Sequence, residues 1–139
     1  MITPFRGRSV AAGDRVEVAR NLHNESWSVR ALGGEHKGLV VGYADELTLL
    51  DPQFRVNEAS RQRAVREGQR NVHARVAGVL ADFRPVGDVQ VHYSPFRAPH
   101  FTIGYDVNAS VHAAAEACFT DLGELFVVSP VCDLDAICQ

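Results

Sequence analysis

The sequence predicts an α+β protein dominated by sheet, with two similar antiparallel β-meander units flanking one central arginine-rich helix. Three observations carry that expectation. Valine-led alternation marks two separate stretches, one run of good helix formers lies between them, and the second stretch restarts the pattern of the first.

In order along the chain, "RVEVAR" (Arg15–Arg20) alternates Val16 and Val18 with charged neighbours. "WSVRAL" (Trp27–Leu32) alternates Trp27, Val29 and Ala31 with Ser28 and Arg30. A period of two with one apolar face is the mark of a half-buried strand, so the two should pair as a hairpin through "NLHNES". The glycine-rich "GGEHKG" (Gly33–Gly38) reads as a turn, and "LVVGYADELTLL" (Leu39–Leu50) as β structure with a bulge at Ala44–Asp45. "DPQF" carries a turn signal and completes a three-stranded meander.

The expected helix follows. Asn57 can cap it, "EASRQRAVRE" supplies helix formers and Gly68 ends it. "NVHARVAGVLADF" (Asn71–Phe83) then reads as a long strand, with Val72, Ala74 and Val76 inward, His73 and Arg75 outward, and a bulge at Gly78. After the turn "RPVGD", "VQVHYSPFRAPHFTI" (Val89–Ile103) lies over "VEVARNLHNESWSV" (Val16–Val29), and "SVHAAAEACFTD" (Ser110–Asp121) over "VVGYADELTLLD" (Val40–Asp51). We read a single domain, 1–139, with pseudo-repeat units 14–56 and 87–129 joined by a helix-strand segment, 57–83.

Bulk properties exclude several classes of function. The chain has 139 residues, enough for one domain with a core that needs no disulfides. Its 46% hydrophobic and 22% charged residues are those of a globular protein. No apolar run is long enough to span a bilayer and no leader-like segment opens the chain, so the expectation is a cytoplasmic protein without a membrane partner. Three cysteines without a close pair point to reduced thiols. No phosphate-loop or dinucleotide fingerprint occurs, and no cofactor is expected.

Charge is the informative feature. The chain carries 14 basic and 17 acidic residues, yet "SRQRAVREGQRNVHAR" (residues 60–75) holds five arginines against Glu67 alone. That segment is +4 and the remainder −7. On a helix, Arg63, Arg66 and Arg70 would share one face. Guanidinium groups make bidentate contacts to phosphates and carboxylates, so Arg61, Arg63, Arg66, Arg70, His73 and Arg75 are the candidate binding residues. The partner class is a host protein complex or nucleic acid, and the acidic remainder favours a protein of mixed charge over bare DNA. The alternative reading is structural: the same arginines would hold two acidic halves together.

"RNLHNESWSVR", "GLVVGYADELTLLDPQFRV" and "ASRQRAVREGQRNVHARV" resemble small hypothetical proteins of bacteriophages and other mobile elements, over about residues 16–80. Ser60 stands where that motif has a glycine. The resemblance implies a mobile-element accessory protein, for example an inhibitor of a host defence system, and it carries no catalytic residue over.

Enzymatic alternatives rest on fewer residues, and binding is expected ahead of catalysis. "PHFTI" (Pro99–Ile103) resembles the His-x-Thr motif of the 2H phosphoesterases, which would make His100 and Thr102 catalytic, with His73 as a further candidate; the second motif of such a pair is missing. "VHAAAEACF…SPVCDLDAIC" resembles zinc deaminases in offering His112, Glu116, Cys132 and Cys138, at spacings unlike their H-x-E and P-C-x-x-C. Exposed meander edges would permit a sheet-extended homodimer.

Overall fold

The computed structural model describes residues 2–21, 25–56, 62, 65, 66, 74–82, 87, 89–93, 101–103 and 109–134; at residues 55, 56, 74, 109 and 132–134 it describes the backbone only. Twelve strands account for it: β1 (Ile2–Pro4), β2 (Arg15–Asn21), β3 (Ser26–Ala31), β4 (Val40–Ala44), β5 (Leu47–Val56), β6 (Ala74–Ala81), β7 (Val89–Tyr93), β8 (Phe101–Ile103), β9 (Ala109–Ala113), β10 (Glu116–Phe119), β11 (Leu125–Val128) and β12 (Val131–Leu134).

All twelve belong to one sheet in the order β1-β4-β3-β2-β6-β5-β10-β11-β7-β8-β9-β12. This corrects the fold class. The described residues form a β-sheet protein rather than the expected α+β fold, and no helical element stands among them. Gln62, Val65 and Arg66, the described part of the expected helix, have helical backbone, and the rest of it lies outside the described residues. The run of Ala, Arg, Gln and Glu that suggests a helix has high helix propensity, but it sits where the topology requires a connection between two paired strands.

The alternation read from the sequence sets the core. Val16, Val18, Trp27, Val29 and Ala31 are buried while Glu17, Ala19, Ser28 and Arg30 between them are half-buried, as a one-faced sheet demands. The β2–β3 hairpin runs in register from Val16↔Ala31 to Asn21↔Ser26, and β4 completes the first meander.

The order has a symmetric appearance around its centre. The first unit runs β4-β3-β2-β6-β5 and the second β10-β11-β7-β8-β9, and the two join by antiparallel pairing of β5 with β10 from Leu47↔Phe119 to Leu50↔Glu116. Within each unit the last strand in the chain, β6 or β11, returns to pair with the first, β2 or β7.

β5 is the pivot. Its first half pairs with β10 and its second half reaches β9 through Gln53↔Ala113, while β6 flanks both halves on the other side. That extra pairing closes β5, β10, β11, β7, β8 and β9 into a six-stranded barrel, with Leu49, Ala117, Phe119 and Val127 buried at 1% exposure or less. The partner change occurs at Asp51–Pro52, where the ladder slips between Leu50 and Gln53 and Asp51 takes φ 47°. "DPQF" is thus a bulge inside one long strand rather than a turn: a bulge is where a central strand tolerates a proline, which has no N–H to donate. Gly78, expected as a bulge, pairs regularly with Val16. It is required by close packing, since a Cβ there would stand 2.9 Å from the Leu50 carbonyl oxygen and 3.0 Å from the Leu49 Cβ.

Candidate binding surface

The arginine-rich stretch occupies one definite place in this topology. β5 and β6 form a hairpin whose last register pairs are Arg55↔Arg75 and Val56↔Ala74, and residues 57–73 connect them. That connection contains Arg61, Arg63, Arg66 and Arg70 against Glu58 and Glu67. The equivalent connection in the second unit, from β10 to β11, is the short turn at residues 120–124. Arg61, Arg63, Arg70 and His73 lie outside the described residues. Gln62, Val65 and Arg66 are all exposed, Val65 at 41%.

Arg75 differs from the others. It stands opposite Ala19 on β2, on the outer face, and its Nη1 donates to Glu17 Oε1 at 3.0 Å, one diagonal along the ladder. The two side chains keep 30% and 25% exposure. An ion pair this wet contributes no more than about 1 kcal/mol. It pins Arg75 to its own unit, since β2 and β6 both belong to the first. A guanidinium nitrogen, Arg75 Nε, remains buried without a hydrogen-bond acceptor.

The joint between the two units is elsewhere, at residues the charge pattern does not single out. Trp27 of β3 is buried, packs edge-on against Phe119 of β10 with centroids 4.8 Å apart, and donates its indole N–H to the Thr120 carbonyl at 2.7 Å. Arg20 of β2 lies over the indole ring at 5.1 Å and against Gly123, where a Cβ would be 3.3 Å from its guanidinium carbon. The one tryptophan of the chain, at the head of a strand, was the available signal for this joint; its partner lies 93 residues away and leaves no local trace.

A second cationic surface lies at the edge of the first unit. Arg8 N–H donates to the Phe5 carbonyl at 3.1 Å, and the two central residues have positive φ, Arg6 at 55° and Gly7 at 71°, as in a type I′ turn. The Phe5 ring meets Tyr43 edge-to-face at 5.4 Å, with Arg6 and Arg8 guanidinium carbons 5.1 and 5.9 Å from its centroid. Arg8 donates to the Val40 carbonyl and Arg30 to the Gly38 carbonyl, so the two guanidinium groups converge on one short backbone segment. The "FRGR" string was the sequence signal for this cluster.

The candidate catalytic and metal-binding residues are dispersed. His100 and Cys138 lie outside the described residues. Thr102 sits on β8 between His92 of β7 and Ser110 of β9 in register. His112 is exposed on β9, Glu116 opens β10, and Cys132 falls on β12 opposite Val111. His112 and Glu116 are therefore on two strands rather than one turn apart on a helix. Among the described residues no group of three or more His, Cys, Asp or Glu could hold a metal ion. A half-open cavity of about 550 Å³ is lined by Ile2, Val10, Leu47, Leu80, Glu46 and Cys118 among others, and none of the described candidate residues lines it. No helix among the described residues is long and apolar enough to cross a membrane.

Comparison with known proteins adds a family. The family described as Mycobacterium phage L5 gene 82 protein matches residues 9–126. The Gene 82 protein of Mycobacterium phage L5 is 30% identical over 121 residues, covering 81% of this chain and 89% of that protein. No solved structure matches the chain.

Proposed function

The chain belongs to the phage protein family described as Mycobacterium phage L5 gene 82 protein, and we propose that it is an accessory protein that acts by binding, with the connection between β5 and β6 as its contact. The observation that supports this most is positional. The hairpin that carries the connection is anchored on both sides, β6 against β2 and β5 against β10, and the described residues of the connection are exposed. A cation-rich segment held at the end of a rigid hairpin is a common way to present a binding loop.

Residues 55–75 hold six arginines against two glutamates, in a chain of net charge −3. The partner therefore offers acidic or phosphate groups: a host protein complex, for example of a defence system that the phage must inhibit, or nucleic acid. The acidic remainder of the chain would repel a long phosphate backbone, which favours a protein surface of mixed charge. Arg61, Arg63, Arg66 and Arg70 are the contacts, with His73 beside them. Arg75, tied to Glu17, is the least available of the set.

Affinity capture from the host tests this reading, with the wild type compared against Arg63→Glu/Arg66→Glu. The expected result is a partner recovered with the wild type and lost with the double variant at unchanged melting temperature. Capture that survives the charge reversal removes the connection from the contact. Steep weakening with salt assigns the partner to nucleic acid.

A further inference from the structure

We propose that the edge of the first unit around the Phe5–Arg8 turn binds single-stranded nucleic acid, with Phe5 and Tyr43 meeting bases and Arg6, Arg8 and Arg30 meeting phosphates. This goes beyond the reading above and stands on different residues; it holds or fails independently of the β5–β6 connection. The turn precedes residues 9–126, where the family match lies, so the surface is argued from this chain alone.

The arginines are placed rather than merely present. Arg8 and Arg30 are each fixed by one hydrogen bond to a backbone carbonyl, of Val40 and Gly38. A guanidinium has five N–H donors, so each retains several for a ligand. Among the described residues none of Arg6, Arg8 and Arg30 is ion-paired to a carboxylate; Glu17, the acid opposite Arg30, pairs with Arg75. Lys37, the one lysine of the chain, is exposed on the same 33–39 connection. Arg30 stands opposite Glu17 and Glu35 shares the connection with Lys37, so Arg6 and Arg8 on the turn are the cations that bias this edge toward an anion.

The aromatic pair decides what kind of anion fits. Phe5 and Tyr43 are half-buried at the sheet margin, their rings nearly perpendicular at 88°. The Arg6 and Arg8 guanidinium groups already lie over the Phe5 ring, so a base would extend that stack on a guanidinium plane or on the Tyr43 ring, contacts that do not depend on sequence. An acidic peptide would use the arginines but not the rings. A duplex would bury its bases away from them. Single-stranded nucleic acid uses both.

The turn itself carries a mark of function. Arg6 has φ 55°, a conformation that costs a residue with a Cβ and that Asn or Gly adopts at less cost. An arginine kept there is consistent with a role for its side chain at the expense of backbone strain. This supplies a test in which stability and binding move in opposite directions. Arg6→Gly relieves the strain, so it should melt a few degrees above the wild type, yet bind more weakly.

Fluorescence anisotropy with a labelled oligothymidylate of about 15 nucleotides, and its RNA counterpart, reads the affinity between about 50 and 200 mM salt. Phe5→Leu keeps the apolar bulk without the ring and is expected to weaken binding about tenfold, the equivalent of one lost stacked base. Arg6→Gly is expected to lower the salt slope by about one. The proposal is overturned if the wild type does not bind at the lower salt, if both variants bind as the wild type does, if a duplex of the same length binds equally well, or if polyglutamate displaces the oligonucleotide at equal charge. Loss of binding in Arg63→Glu/Arg66→Glu but in neither turn variant assigns the nucleic acid to the connection instead, and equally overturns it.

Discussion

Trp27→Phe is expected to destabilise the protein by about 2–3 kcal/mol, because it weakens the joint between the two units at three points. The indole N–H loses its bond to the Thr120 carbonyl, formed at 2.7 Å. That carbonyl also accepts from the Gly123 N–H at 3.1 Å, so it is not orphaned, and this part amounts to about 1 kcal/mol. The smaller ring leaves a void at a site only 6% exposed, against Phe119, for roughly another 1 kcal/mol. Arg20, stacked over the indole, loses the better of the two cation partners, about 0.5 kcal/mol. For a chain of this size the sum corresponds to a drop in melting temperature of roughly 8–10 °C. Far-UV circular dichroism is the assay, since the substitution removes the chain's one tryptophan and with it the fluorescence signal. A loss below about 0.5 kcal/mol would refute the reasoning, because that is the range of surface substitutions.

Two further outcomes follow from the sheet. Gly78→Ala pushes a methyl group to 2.9 Å from the Leu50 carbonyl oxygen and 3.0 Å from the Leu49 Cβ, so chemical denaturation should show a loss of about 1–3 kcal/mol; an unchanged midpoint would mean that β5 and β6 are not so close. Glu17→Gln should cost no more than about 1 kcal/mol in the same assay, given the exposure of its pair with Arg75; a larger loss would show Arg75 to be a structural anchor.

The strands of the first unit were legible in the sequence because one face of each is buried: Val16, Val18, Trp27 and Val29 alternate with polar residues and leave no other period. The path through Asp51–Pro52 was not legible, since a proline there signals a turn unless a bulge removes the need for its N–H. Barrel closure was not legible either: Gln53↔Ala113 and Leu47↔Phe119 are pairings between distant strands, and no local pattern encodes them. The fold class was misread because composition gives propensity alone: the run of helix formers is the connection that Val56↔Ala74 closes between two paired strands of one sheet. Two similar units were proposed from short valine-rich matches. In the sheet, β6 (Ala74–Ala81), which lies beyond residue 56, pairs with β2 and β5. Of the site, the sequence marked the arginines but not their place at the end of a hairpin, and beyond the "FRGR" string it gave no sign that Arg30 and Tyr43, on β3 and β4, gather around the Phe5–Arg8 turn.

The connection between β5 and β6 is either a contact or a brace, and replacing residues 57–73 with a two-residue Asn-Gly turn separates the two most directly. Shortening a 17-residue connection to two lowers the closure entropy, worth about 1–2 kcal/mol in favour of the fold, and Asn-Gly suits the twist of a hairpin. As a contact, its removal leaves a folded protein that melts at or above the wild-type temperature and captures no partner from the host. An unfolded variant, or a folded one that still captures the partner, would contradict the account.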